Sequence, residues 1–350
     1  MISADEPQGR MLRRVFPLAV AGLCVVGYLL FLVTRQRPRL TVYCAHDAVY
    51  AEAVLEEFER ETGIPVDIKF DSEATKSLGL VELIIRQAGN PQCDVFWNNE
   101  VFGTMELARR GLLDAYRGPG YDRIPPRFRS EAGLWAGFGG RFRVVIGNTE
   151  CTTPETAERI LDTTPDRFAM AKPLYGTTFT HYTVLWHQWG RDRLVSWHRD
   201  LRDRGLCEVL GNATVKDLVA AGHCDSGYTD TDDFYQAKDD GRPVAMVPVR
   251  TAAGATVCIP NSVAIVRGTR NRGDAERLVD YLLSAENELR LARSVSRQVP
   301  LGPVDAEQLP AEVRAMVPWV AEGVRLEELD QDRQACLAWL RTLYAGGDEG

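Results

Sequence analysis

From Leu40 to Gly111 the apolar pattern switches between strand and helix spacing in strict alternation, which constrains the fold more than any other feature of the chain. Leu40–Tyr43 reads as a short strand. Tyr50–Thr62 places Val54, Leu55 and Phe58 at helical spacing, and Gly63 and Pro65 follow where helices end. Val66, Ile68 and Phe70 then alternate as a second strand. Asp71 or Ser72 can cap a helix that runs to about Ala88. Asp94–Trp97 reads as a third strand, and Val101–Arg110 as a third helix stopping at Gly111. Strands alternating with helices of this length build a parallel sheet covered by helices.

The same grammar resumes downstream. Arg143–Asn148 and Arg167–Lys172 read as strands, and a helix runs from the Gly176–Thr180 stretch to about Gly190. Thr214–Ala221 is a helix capped by Thr214 or Asn212, Ser226–Thr229 a strand, and Asp232–Asp239 a helix. Val244–Val249 and Thr256–Val266 are strands. Asp274–Leu283, Glu286–Ser294 and Arg325–Tyr344 are helices. Two such units in one chain predict an α/β protein of two lobes with a cleft between them.

Charge separates the head of the chain from its body. Residues 1–40 carry six Arg against Asp5 and Glu6, net +4; the whole chain is −8, which leaves the remaining 310 residues at −12. An acidic body speaks against nucleic acid as a partner. Val15–Val33 is 19 residues without a charge, enough to cross a bilayer core. No small-x-small cleavage site ends it, and Leu23 before Cys24 does not fit lipidation. The reading is a tail at 1–14 and a transmembrane anchor or uncleaved signal at 15–34, with the body on the periplasmic or extracellular face. Seven cysteines remain in the body, an odd number, with no CxxC pair. Cys207 and Cys224 are a conceivable disulfide; scattered buried thiols explain them equally.

In open parallel sheets, ligands bind beyond the carboxyl ends of the strands. Polar residues cluster at those places: His46 and Asp47 after the first strand, Ser72 and Glu73 after the second, Asn99 and Glu100 after the third. In the second unit they are Thr177 and Thr178 at a helix start, and Asp230, Asp232 and Asp233 in the run TDTDD. Several of these residue types also serve as plain helix caps or turn formers. The TDTDD carboxylates are the sharper signal, because they repel one another unless solvated or met by a cation. A helix start with open N–H groups suits an anion. The patterns GxSxG, HExxH, the Walker loop and GxGxxG after the first strand are missing, and with them the usual enzyme signatures. His181 and His187 are six apart, not a zinc pair.

Seven stretches, in order and spacing, carry a family resemblance: LTVYCAHDAVYAEAVLEEFERETGIPV at 40–66, QCDVFWNNE at 92–100, LLDAY at 112–116, GRFRVVIGNT at 140–149, AKPLYGTTFTHYTVLW at 171–186, GNATVKDLVAAGHCDSGYTDTDD at 211–233 and NSVAIVRGTRNRGDAERLVDYLLSAENE at 261–288. The body resembles the substrate-binding proteins of bacterial ABC importers, within them the ferric-iron-binding group of type II periplasmic binding proteins. The resemblance implies two Rossmann-like lobes on a hinge, residues 39–140 with 250–300 and residues 141–249 with 301–345, closing on a ligand and docking on a membrane permease. It implies no obligatory cofactor, with Fe(III) or another metal as transported ligand. Ferric binders of the group use a first-loop His, a Glu after the third strand and two adjacent Tyr. His46 (or Asp47) and Glu100 match the first two here. Asp232–Asp233 take the place of the Tyr pair, so Glu100, Asp232 and Asp233 are the implied metal ligands. Losing the phenolates leaves room for a cationic or zwitterionic organic solute, such as a polyamine or an aminophosphonate. A tethered sensor and an enzyme on the same scaffold, such as a transferase, are the remaining alternatives.

Overall fold

The structure, a computed structural model, describes residues 38–46, 48–71, 78–153 and 166–345. The 15–33 segment, Asp47, Ser72 and Glu73 lie outside them. Among the described residues, no helix is long and apolar enough to cross a membrane.

The first unit folds as its spacing predicts. Strand β1 (Leu40–Cys44) pairs in parallel with β2 (Val66–Phe70) and β3 (Val95–Asn98). Helix α1 (Ala48–Thr62) connects β1 to β2 and buries Val54, Leu55 and Phe58 against the sheet. It ends at Gly63, whose φ of +67° is the left-handed conformation that stops a helix and that glycine adopts without strain. Helices α2 (Leu78–Arg86) and α3 (Phe102–Arg109) follow β2 and β3. β4 (Leu113–Asp114) and helix α4 (Pro119–Arg123) lead onward.

Strand β5 (Ala136–Asn148) is buried along its whole length and joins the two halves of one sheet. Up to Phe142 it pairs antiparallel with β10 (Cys258–Val266), and β10 in turn pairs with β3. From Arg143 onward it pairs with β8 (Ser226–Asp230) and β9 (Val244–Pro248). β8 continues in parallel to β6 (Phe168–Ala171), and β6 to β7 (Cys207–Val209). The path is β2-β1-β3-β10-β5-β8-β6-β7, with β4 on β10 and β9 on β5. Two parallel segments thus flank a central antiparallel pair.

The strand expected at Arg143–Asn148 is only the second half of β5. Gly137, Gly139 and Gly140 in its first half mark close packing. A Cβ on Gly139, at φ +50°, would meet Gln298 Oε1 at 2.5 Å, and one on Gly137 would meet the Phe128 carbonyl at 2.9 Å. Helix α5 (Gly176–Asp203) also outruns its expected end. The chain kinks at Gly190, with φ 73° and ψ 167°, and resumes as helix. Helix α6 (Asn212–Ala220) starts earlier than read, and its N-cap is Gly211, with no side-chain cap from Asn212 or Thr214. Helix α7 (Thr231–Asp239) follows β8 directly, and α8 (Arg272–Leu282) and α9 (Ala285–Arg293) follow β10. The C-terminal region contains a helix not anticipated, α10 (Ala311–Ala321), before α11 (Asp330–Ala345).

Candidate functional site

The strand-end residues of the first unit are held by the protein itself. Glu100 opens the turn into α3. Its carboxylate accepts the N–H of Phe102, the N–H of Gly103 at 2.7 Å and the Asn98 side-chain amide at 2.9 Å. The two N–H groups are unpaired donors of the first helical turn, so the carboxylate works as a cap. Gly103 is what lets it reach over: a Cβ there would lie 3.0 Å from Glu100 Oε1 and 2.9 Å from Asn98 Nδ2. Burial raises the Glu100 pKa despite the N–H bonds that pull it down.

His46 is buried as well, with its ring edge-on to Tyr50 at 5.6 Å and to Trp97 at 5.8 Å. Its Nε2 sits 2.6 Å from the Gln298 amide nitrogen. Gln298 Oε1 accepts from Asn261, so its nitrogen donates and His46 Nε2 accepts. That places the ring proton on Nδ1. His181 is fully buried, and burial, then Arg143, pushes its pKa well below the ordinary value. His187 pairs with Asp332 at 2.7 Å.

The second unit is arranged differently, around two arginines that sequence reading did not single out. Arg141 and Arg143 stand two apart on β5 and project to the same face. Arg143 lies directly opposite Asp230 in the β5–β8 register, and its guanidinium meets the Asp230 carboxylate at 2.7 Å. Both are buried, and a buried charge persists only when paired. Arg141 makes longer ion pairs with Asp230 at 3.6 Å and Asp232 at 3.8 Å, and donates to the Asn99 carbonyl. The signal that could have found the pair is general: two charged residues inside an apolar strand must have buried counter-charges.

Asn212, read from sequence only as a cap, is the hub of this cluster. Its amide donates to Thr177 Oγ1 at 2.8 Å and to Asp230 at 3.0 Å, and its oxygen accepts from Arg143 at 3.2 Å and Thr178 at 3.3 Å. It therefore ties the starts of α5 and α6 to the end of β8. Asp233 accepts the Thr229 hydroxyl at 2.8 Å. Asp230, Asp232 and Asp233 each offer a carboxylate oxygen within 4.8 Å of the others. Asp230 and Asp232 thus meet two guanidiniums, so part of the expected repulsion is met by the protein's own cations.

A cavity of about 650 Å³ opens beside this cluster. Tyr50, Asn99 and Arg141 line it, as do Lys172, the first turn of α5, residues 210–214, and the three aspartates. The first turn of α5 has no side-chain cap at Tyr175, and Gly176, Thr177 and Thr178 lie on the cavity wall. A long helix carries partial positive charge at such an end. Of the expected site residues, the structure gathers Asn99, Thr177, Thr178, Asp230, Asp232 and Asp233 at one cavity. His46 and Glu100 are not among the residues lining it.

The sequence model for bacterial extracellular solute-binding proteins matches residues 40–294. The major ferric iron-binding protein of Neisseria meningitidis serogroup B is 24% identical over 283 residues, 75% of this chain and 81% of that one. Among solved structures, the apo ferric ion-binding protein A of Pasteurella haemolytica superposes with TM-score 0.73 at 17% identity, covering 90% of this chain and all of that one. The periplasmic binding protein AfuA of Actinobacillus pleuropneumoniae, with exogenous fructose-6-phosphate bound, superposes with TM-score 0.67 at 19% identity, covering 87% of this chain and 98% of that one.

Proposed function

Since this chain belongs to the family of bacterial extracellular solute-binding proteins, we propose that it is the substrate-binding component of an ABC importer, which captures a small ligand in the 650 Å³ cavity and delivers it to a membrane permease. One lobe is residues 39–140 with 250–300, the other 141–249 with 301–345, and the hinge is the central β5–β10 pair. Asn99 and Tyr50 reach the cavity from the first lobe, and the aspartates and α5 from the second. A ligand touching both favours the closed form by its differential affinity. Residues 15–33 are read as the anchor that holds the body at the outer face of the cytoplasmic membrane.

The observation that carries the reading is the Asp232–Asp233 pair on the wall of a cavity large enough for a ligand. Iron(III) or another hard cation is the first ligand class. The three carboxylates within 4.8 Å supply oxygen donors suited to it, and the Neisseria relative is named for ferric iron. A zwitterionic organic solute, such as an aminophosphonate, is the second. Cavity volume favours it, since about 650 Å³ lies in the range of organic-ligand sites, and Glu100 and His46 are engaged elsewhere. In it, the amine meets Asp232 and Asp233, and the phosphonate meets the first turn of α5. Native mass spectrometry with metal analysis of the purified body separates the two in one measurement. Thermal shift against Fe(III), an aminophosphonate and a polyamine then ranks them. A body that carries no ligand and responds to none overturns the reading.

A further inference from the structure

Helix α7 brings Asp232 and Asp233 to the cavity, and one turn further on it brings Gln236, which lines the same wall. Asp232 and Gln236 are four apart and share one face of the helix, with about 5–6 Å between Cβ atoms at that spacing. Gln236 is exposed, yet its side chain is held: Oε1 accepts from Lys216 Nζ at 2.9 Å. Lys216 stands on α6, four residues after Asn212 and on the same face, and α6 packs against α7. Lys216 is buried, and its other partner is Asp217 at 2.9 Å. An ammonium can only donate, so the oxygen of the Gln236 amide has to face it. The amide nitrogen, with its two N–H donors, is turned away from Lys216. Among the described residues, no protein group accepts from it. Lys216 itself is not among the residues lining the cavity.

Resting on the importer reading above, we propose that Gln236 is a ligand-binding residue, fixed as a hydrogen-bond donor by Lys216, and that the solute carries an acceptor beside its cationic group. Asp232 and Asp233 present carboxylates, which a cation satisfies. Gln236, one turn along, presents N–H. This face of α7 therefore asks for partners of both kinds within one small molecule. A phosphonate or carboxylate oxygen next to an ammonium group supplies them. A polyamine does not, because its ammonium groups only donate and would meet the Gln236 N–H groups head-on. A bare metal ion makes no use of Gln236, because the amide oxygen, the atom that ligates a hard cation, is taken by Lys216. Lys216 is a positioning residue: without it, the amide is free to turn either end to the cavity.

Calorimetry on the full chain with 2-aminoethylphosphonate, putrescine and Fe(III) alone is the test. The parent should bind 2-aminoethylphosphonate. Gln236→Leu should weaken that binding about tenfold, through loss of one hydrogen bond to a charged acceptor. Gln236→Glu, which repels the acceptor, should weaken it further. Tm should stay unchanged in both, because the residue is exposed. Lys216→Met should weaken binding about twofold or more, because both amide orientations become populated, and Lys216→Arg, which keeps a cationic donor, should restore it. A merely structural role lowers Tm and leaves the preference for 2-aminoethylphosphonate over putrescine where it was; the proposal expects that preference to fall in Gln236→Leu. Unaltered affinity in Gln236→Leu, or a parent that binds only Fe(III) or only putrescine, overturns the proposal and leaves the importer reading standing. A parent that binds none of the three overturns both.

Discussion

Two acidic strand ends in this molecule look alike in sequence and behave differently in the fold. After β3, Glu100 turns its oxygens onto the N–H groups of its own helix and an Asn98 amide. After β8, Asp230 and Asp232 lean on Arg141 and Arg143, Asp233 accepts the Thr229 hydroxyl, and all three remain at a cavity. A carboxylate at the end of a parallel strand is therefore not a ligand by position alone. What decides is how many of its lone pairs the backbone has already taken.

The largest effect should come from removing the counter-charge. Arg143→Met removes the closest counter-charge of the buried Asp230, leaving it only the longer Arg141 pair and the Asn212 amide, and should cost about 3 kcal/mol of stability by chemical denaturation. A variant as stable as the parent would break the view that Arg143 is the charge that lets Asp230 stay buried. Next comes Asp232→Asn with Asp233→Asn. It should weaken the ligand by about 100-fold or more, roughly 2.7 kcal/mol, while circular dichroism stays unchanged. Calorimetry reads this directly, and unaltered affinity would move the site away from these residues.

Glu100→Ala should act in the opposite sense. It loses a buried cap, about 1–2 kcal/mol in Tm-derived stability, and leaves ligand affinity where it was. A large loss of affinity there would place the two acidic ends in the same role. The smallest effect is on pH. Because burial raises the Glu100 pKa above its ordinary 4.5, the folded state binds a proton more readily than the unfolded chain. The contribution of this group is complete below pH 4.5 and is lost as pH rises through the folded value. The stability of the parent relative to Glu100→Gln should therefore grow as pH falls across that window. A gap that shrinks on acidification would mean the capping N–H groups outweigh burial.

The α/β alternation was legible because each strand and helix of the first unit keeps its own apolar period, and Gly63 and Gly111 end two of the helices. The TDTDD run was legible because three carboxylates in four residues demand a counter-charge. Its counter-charge was not, since Arg141 and Arg143 sit almost ninety residues earlier and meet Asp230 only through strand register. The glycines before Arg141 hid half of β5, because a residue that permits a turn also permits close packing. His46 and Glu100 were placed at the right strand ends, but which groups their polar atoms would meet depends on Gln298 and on the path into α3, which no local pattern encodes. Asp47, Ser72 and Glu73 lie outside the described residues, as does the apolar 15–33 segment.

One consequence of β5 reaches further. It changes partners between Phe142 and Arg143, from β10 to β8, and the two guanidiniums stand on either side of that exchange. Any bending there turns Arg141 relative to Arg143, and with them the grip on Asp232 relative to Asp230. The lever and the sensor of such a movement are then one piece of chain. Selection on what this protein recognises would act on how it moves at the same stroke, so neither property is free to drift by itself.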